Sequence, residues 1–358
     1  MDGRGTPWGR LTDVPGLAVG HAGRVGDGWL SGVTVVVPPP GTVGAVDVRG
    51  GGPASHETDA LAPSTLVPWV DAICLTGGSA YGLAAASGVQ RWCEEAGRGF
   101  PVGPDHDRHR LVVPVVPAAA IFDLGRGGDP AARPDAELGH RAATAALGPD
   151  TGAPTGAVGA GTGALTSLQA MAGGVGQASV RVTLASGAVA TVGALAVVNA
   201  MGTPVDPEDG ALLGRAFMPP GRERPRPPRP AEALALRAHL ASTSTAAVPR
   251  ANTTLAVVAT DAATDAAATW RTAAAAHDGL ARALYPAHTL LDGDTVFALA
   301  TGVLPVTLTD TAALHAAAAD AVLLAVLDAV LAAGRRVSPV IDVPGYLDLC
   351  PGAVARPD

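Results

Sequence analysis

The chain of 358 residues carries 24 lysines and arginines against 32 aspartates and glutamates, a net charge of −8. That balance argues against nucleic acid as the principal partner, since phosphate binding wants a basic face, and the length is enough to bury a sizeable core. Hydrophobic residues make up 48% and aromatic ones only 3%, so small aliphatic side chains must fill that core.

In chain order, strand-like runs occur at 33–37, 72–75, 111–116, 180–184, 189–198, 255–260 and 296–300. Helix-like runs occur at 81–95, 135–147, 231–240, 265–284 and 311–333. The last is rich in Ala and Leu with Asp320 and Asp328 as its charges, which suits a helix with one wide buried face. Paired strands beside separate long helices, rather than strict βαβ alternation, predict a layered α+β architecture. Residues 217–230, FMPPGRERPRPPRP, predict a surface linker, because Pro at this density suits neither helix nor strand. No long uncharged span marks a membrane helix, and MDGRGTPWGR lacks the apolar core of a signal peptide. Cys74, Cys93 and Cys350 are odd in number and widely spaced, which fits a reducing cytoplasm.

Several short stretches carry candidate chemistry. CLTGGSAYGL sets Gly77 and Gly78 between a strand and a helix, where backbone N–H groups can hold an anion. It is no phosphate loop, and Tyr81 stands where a G-x-S-x-G elbow needs its final glycine. A tight turn and a substrate pocket both fit. GAVGAGTGAL, containing Gly161, permits close backbone approach to backbone or ligand. In LDGDTVFALATG, Asp292 and Asp294 share a face if the segment is extended, and repulsion would then raise one pKa. The other reading is a solvated turn. Asn199 ends a buried strand, as a turn cap or an oxyanion donor. His106 and His109 in DHDRH read as a charged loop, no metal-ligand spacing occurs elsewhere, and neither a metal nor an organic cofactor is expected.

RANTTLAVVATDA poses the central question. Asn252, Thr253 and Thr254 form either a polar turn before a β-branched strand, or a cleavage point that frees Thr253 as a nucleophile. A threonine freed in this way uses its own α-amine as base.

The chain resembles the P1 family of self-processing, S58-type peptidases, which includes L-aminopeptidase/D-esterases, β-peptidyl aminopeptidases and nylon-oligomer (6-aminohexanoate-oligomer) hydrolases. The similarity runs through LTDVPGLAVGHA, VDVRGGGPASHETD, DAICLTGGSAYGL, VVPAAAIFDLG, VGAGTG, VVNAMG, NTTLAVVATDA and AHTLLDGDTVFALATG, in that order. It implies a four-layer α-β-β-α sandwich of the N-terminal-nucleophile type, one catalytic domain over 1–358 cut into an α chain of 1–252 and a β chain of 253–358. By that carry-over Thr253 is nucleophile and base, Asn199 helps form the oxyanion hole, and Asp292 and Asp294 orient Thr253. Gly77, Gly78, Tyr81, Phe122 and Gly161 then border the substrate, a small amide, short peptide or oligomer. Self-association as a tetramer of αβ heterodimers is also implied. Asn-Thr with Asp-Gly-Asp resembles the nylon-oligomer hydrolases, as does Tyr81. Two departures stand out: Leu168 occupies the place of a lysine in many relatives, and Phe122 that of a tyrosine. The alternatives are an aminopeptidase/amidase-esterase or β-peptidyl enzyme without oligomer activity, an ornithine acetyltransferase-like acyltransferase, or an uncleaved binding protein.

Overall fold

Two five-stranded sheets organise the chain in a computed structural model that describes residues 8–102, 111–148, 154–243 and 252–354. His106 and His109 lie outside the described residues. The first sheet runs Ala18–Gly26, Trp29–Val37, Ile73–Thr76, Ala118–Ala120, Ser55–His56. The second runs Gly174–Thr183, Val189–Asn199, Thr253–Ala262, Thr295–Leu304, Val43–Val48. In the second sheet only Thr253–Ala262 and Thr295–Leu304 pair in parallel. Parallel neighbours need a crossover, and helix Ala266–Ala283 supplies it.

Strand periodicity sorts the second sheet into two apolar faces. Leu195, Val197, Leu255, Val257, Phe297 and Leu299 pack toward the first sheet, against Val36, Ile73, Leu75 and Ile121. Ala194, Ala196, Ala256, Val258 and Ala298 turn the other way, onto helices Ala266–Ala283 and Leu308–Ala332. Beyond the first sheet, Val33, Val35 and Cys74 pack against helices Ala85–Glu95 and Ala136–Ala146. The outcome is the expected α-β-β-α sandwich. Its scarcity of aromatics has a physical counterpart in close layers: a Cβ on Gly176 would fall 2.1 Å from the Ala325 carbonyl oxygen, so helix rests almost directly on strand.

Helix starts follow their caps. Asp135 accepts from the Leu138 N–H, Asp265 from the Ala268 N–H, and Thr307 with Asp310 forms a capping box. Helix Leu308–Ala332 is long and apolar enough to cross a membrane, with a mean hydropathy of 1.9 over its best window, but 83% of that window is buried inside the protein.

Some expectations needed correction. The run at 111–116 forms only Val112–Val113, paired with Phe100–Pro101. The helix expected over 81–95 is broken into Ser79–Gly82 and Ala85–Glu95. The strands Ala18–Gly26 and Val43–Val48 lie outside the runs expected from sequence, because glycine, histidine and arginine interrupt the apolar pattern of the first, and glycine and aspartate that of the second. The 217–230 segment is largely exposed yet tied down: Arg222 donates to the Ser179 carbonyl, and the Arg226 N–H to that of Ala353.

Candidate active site

Antiparallel register sets Asn199 opposite Thr253, each on the face that continues Val197 and Leu255 into the space between the sheets. An isolated parallel bridge between Asn252 and Asp292 brings the Asp-Gly-Asp turn alongside. The Asn252 N–H donates to the Leu291 carbonyl at 3.0 Å, and the Gly293 N–H donates to the Asn252 carbonyl at 3.0 Å. The Thr253 hydroxyl donates to that same carbonyl oxygen at 2.5 Å. Asn252 is therefore held through both its N–H and its carbonyl, with the Thr253 hydroxyl against that carbonyl. A Cβ on Gly293 would stand 2.7 Å from Thr253 Oγ1, so only glycine leaves room for this contact.

The two carboxylates are buried, at 1% and 2% exposure, which excludes the solvated-turn reading. Asp292 accepts from the Met201 N–H at 3.1 Å and the Thr289 hydroxyl at 2.7 Å. Asp294 accepts from the Thr254 N–H at 2.8 Å and, on its other oxygen, from the backbone and ring of His288. Burial, and next the neighbouring Asp294, raise the pKa of Asp292, against the hydrogen bonds from Thr289 and Met201. Gly50 and Gly52 seal the turn from behind, their N–H groups donating to the Asp294 and Asp292 carbonyls.

Asn199 is fully buried. Its Oδ1 accepts from Arg126 at 2.5 Å and from the Leu165 N–H at 3.1 Å, while Nδ2 donates to the Phe122 carbonyl at 3.3 Å. Guanidinium and backbone N–H only donate, so they fix which end of the amide is oxygen. Nδ2 is thereby left as the donor end. Arg126 is the residue that sequence reasoning missed: it follows the IFDLG motif in a glycine-rich turn, with nothing local to mark it. The adjacent Asp123 accepts from the Gly78 N–H at 2.6 Å, and its pKa is raised by burial against the opposing pull of Arg126. A network thus runs from Gly78 through Asp123 and Arg126 to Asn199.

That network corrects the idea of an external anion at Gly77 and Gly78. The Gly77 and Ser79 N–H groups donate to the Gly32 and Ile121 carbonyls, and the protein's own Asp123 fills the anion's place. Phe122 contributes its carbonyl here. Gly161 packs against the backbone of Val175, where a Cβ would meet the Val175 nitrogen at 2.5 Å. Tyr81 is 59% exposed, with the Arg133 guanidinium 3.8 Å over its ring. None of these three is brought onto Thr253 by a described contact. Leu168, itself exposed, tops a turn in which Ser167, Leu168 and Gln169 are all left-handed, at φ 56, 55 and 70. The Ser167 and Leu168 N–H groups donate to the Gly202 and Met201 carbonyls, which sets the turn beside the loop that holds Asp292. Among the described residues no group of three His, Cys, Asp or Glu side chains has a metal-binding arrangement.

The chain is similar to known proteins along most of its length. An uncharacterized aminopeptidase of Mycobacterium tuberculosis is 50% identical, over 96% of this chain and 98% of its own. A 6-aminohexanoate-oligomer endohydrolase of Paenarthrobacter ureafaciens is 29% identical, over 81% of this chain and 74% of its own. The solved beta-aminopeptidase of a Burkholderia species superposes with a TM-score of 0.71 at 25% identity, covering 99% of this chain and 97% of that one. The L-aminopeptidase D-Ala-esterase/amidase of Ochrobactrum anthropi, a variant of the N-terminal-nucleophile hydrolase fold, shares that fold with a TM-score of 0.71 at 21% identity, with the same coverage. The profile of Peptidase family S58 matches residues 9–339, and the chain belongs to that family of peptide-bond hydrolases.

Proposed function

We propose that this chain is an N-terminal-nucleophile amide hydrolase that cuts itself between Asn252 and Thr253. The observation that carries the reading is the Thr253 hydroxyl 2.5 Å from the carbonyl oxygen of Asn252, with the Gly293 N–H on that same oxygen. In the cut, Thr253 Oγ adds to the Asn252 carbonyl carbon, the C–N bond breaks as the nitrogen gains a proton, and water hydrolyses the ester. The freed amine, with an ordinary pKa of about 7.7–8, takes the Oγ proton when Thr253 attacks a substrate amide. Asn199 Nδ2 donates to the oxyanion, the departing amine takes the proton, and water releases the acyl-enzyme. Asp292 and Asp294 hold the new amine and hydroxyl in place.

The substrates are short amides with a free amine: amino-acid amides, short peptides and linear 6-aminohexanoate oligomers. The pairing of Asn-Thr with Asp-Gly-Asp supports the oligomers, as does the likeness to the Paenarthrobacter endohydrolase. Leu168, apolar and exposed beside the Met201 loop, suits methylenes, each contributing roughly 0.8 kcal/mol when buried. Three free, buried cysteines accord with a reducing cytoplasm. The test is product release from an amino-acid p-nitroanilide and from linear oligomers, with Thr253→Ala as control. Release by both proteins alike would refute the threonine mechanism. Anilide turnover without oligomer cleavage would refute the oligomer assignment.

A further inference from the structure

We propose that His288 is a positioning residue of this site, holding Asp294 as an oriented carboxylate for the threonine nucleophile; the inference rests on the reading of Thr253 above. His288 reaches Asp294 twice. Its backbone N–H donates to Oδ2 at 2.9 Å and its Nδ1 to the same oxygen at 2.8 Å. Oδ1 is left for the Thr254 N–H, at 2.8 Å. Three donors from two segments fix both oxygens, and one of those segments is the nucleophile's own strand. Because a carboxylate only accepts, the ring must carry its proton on Nδ1.

The backbone shows what this arrangement demands. His288 sits at φ 57, in the left-handed region that residues other than glycine rarely adopt. Strain of this kind persists where the surroundings over-determine it, and such places cluster at functional sites. The ring is braced by His277, edge-on with centroids 4.7 Å apart. His277 is fully buried and donates from Nε2 to the Asp47 carbonyl at 3.0 Å. Burial foremost pulls its pKa down to about 4, so a neutral ring backs His288 and adds no charge beside Asp294. The other charged groups facing the pair are Asp47, whose carboxylate lies 3.8 Å from His277 Nε2, Arg49 bound to Asp47, and Asp292.

The experiment compares His288→Gly, His288→Asn and His288→Asp. Gly, Asn and Asp all tolerate a left-handed backbone, so strain is not the variable. Glycine deletes the ring, asparagine returns an N–H near the place of Nδ1, and aspartate keeps the shape of asparagine without a donor. Each variant is followed by intact mass for maturation, by thermal midpoint, and by kcat and KM on an amino-acid p-nitroanilide. The expected result is a kcat about 10²-fold lower in His288→Gly and His288→Asp, at little-changed KM, with His288→Asn recovering most of the loss. Wild-type kcat in His288→Gly overturns the proposal. Equal kcat in the Asn and Asp variants also overturns it, and that comparison stands even if the glycine variant does not fold. A wild type that is uncut, or that works without Thr253, defeats the nucleophile reading, and this proposal with it.

Discussion

The Gly77-Gly78 turn and the Asp292-Gly293-Asp294 turn are alike in one respect: each sets glycine beside a buried aspartate whose pKa is raised. They differ in what answers that charge. At the first turn Asp123 is raised by burial, while Arg126 and the Gly78 N–H pull the other way. At the second, Asp292 is raised by burial and again by Asp294, a like charge. A compensated carboxylate braces a turn. The pair has hydrogen bonds from Thr289 and Met201 to answer it but no cation, so a like charge adds to burial there instead of opposing it. The glycines differ as well, since Gly78 donates to a side chain of the framework and Gly293 to the bond before Thr253.

The comparison breaks most sharply at Gly293. Gly293→Ala drives a methyl against Thr253 Oγ1, and it should block maturation and lower turnover by about 10²-fold or more, the scale of a nucleophile displaced by about 1 Å. Intact mass and p-nitroanilide release check this; a cut, active variant contradicts it.

Asp292→Asn should lower turnover about 10²-fold and yet raise the thermal midpoint at neutral pH. A carboxyl whose folded pKa is raised favours the fold only while protonated, and that contribution is lost as pH rises through the raised value. The neutral amide escapes this loss. The gap between variant and wild type should therefore close as pH falls toward the ordinary value of 3.8. A gap that does not change with pH contradicts the crowded-pair account.

Arg126→Gln removes the cation shared by Asp123 and Asn199. The Leu165 N–H still holds Asn199 Oδ1, so a milder loss in kcat, about 10-fold, is expected. Steady-state kinetics on the folded variant read it, and an unchanged kcat would show that Arg126 does not orient Asn199 for the reaction.

The framework histidines bear on stability and not on turnover. His21 and His277 are held near about 4 by burial, against an unfolded value of 6.5, so the unfolded chain takes up protons first. Stability is then present above pH 6.5 and declines as pH falls toward about 4. Urea midpoints across that range should show the slope, and a flat profile contradicts it.

Much of this was legible in sequence because it was local. Helix-like runs at 135–147 and 265–284 marked their helices, and the apolar runs at 189–198, 255–260 and 296–300 found the sheet that carries Asn199, Thr253 and the Asp-Gly-Asp turn. The motif resemblance supplied the layer order. What stayed hidden depends on distant partners. Arg126 meets Asn199 across 73 residues of chain, and the Gly52 N–H meets the Asp292 carbonyl through a glycine run that locally reads as a loop. Likewise, nothing in TGGSAYG says that Asp123 will occupy the N–H of Gly78.

The central claim is that the Asn252–Thr253 bond is the enzyme's own first substrate. Its most direct test is the intact mass of the purified protein beside that of Thr253→Ala. The account predicts two fragments for the wild type, ending at Asn252 and beginning at Thr253, and one uncut, inactive chain for the variant. A wild type that remains a single chain while hydrolysing amides would contradict it.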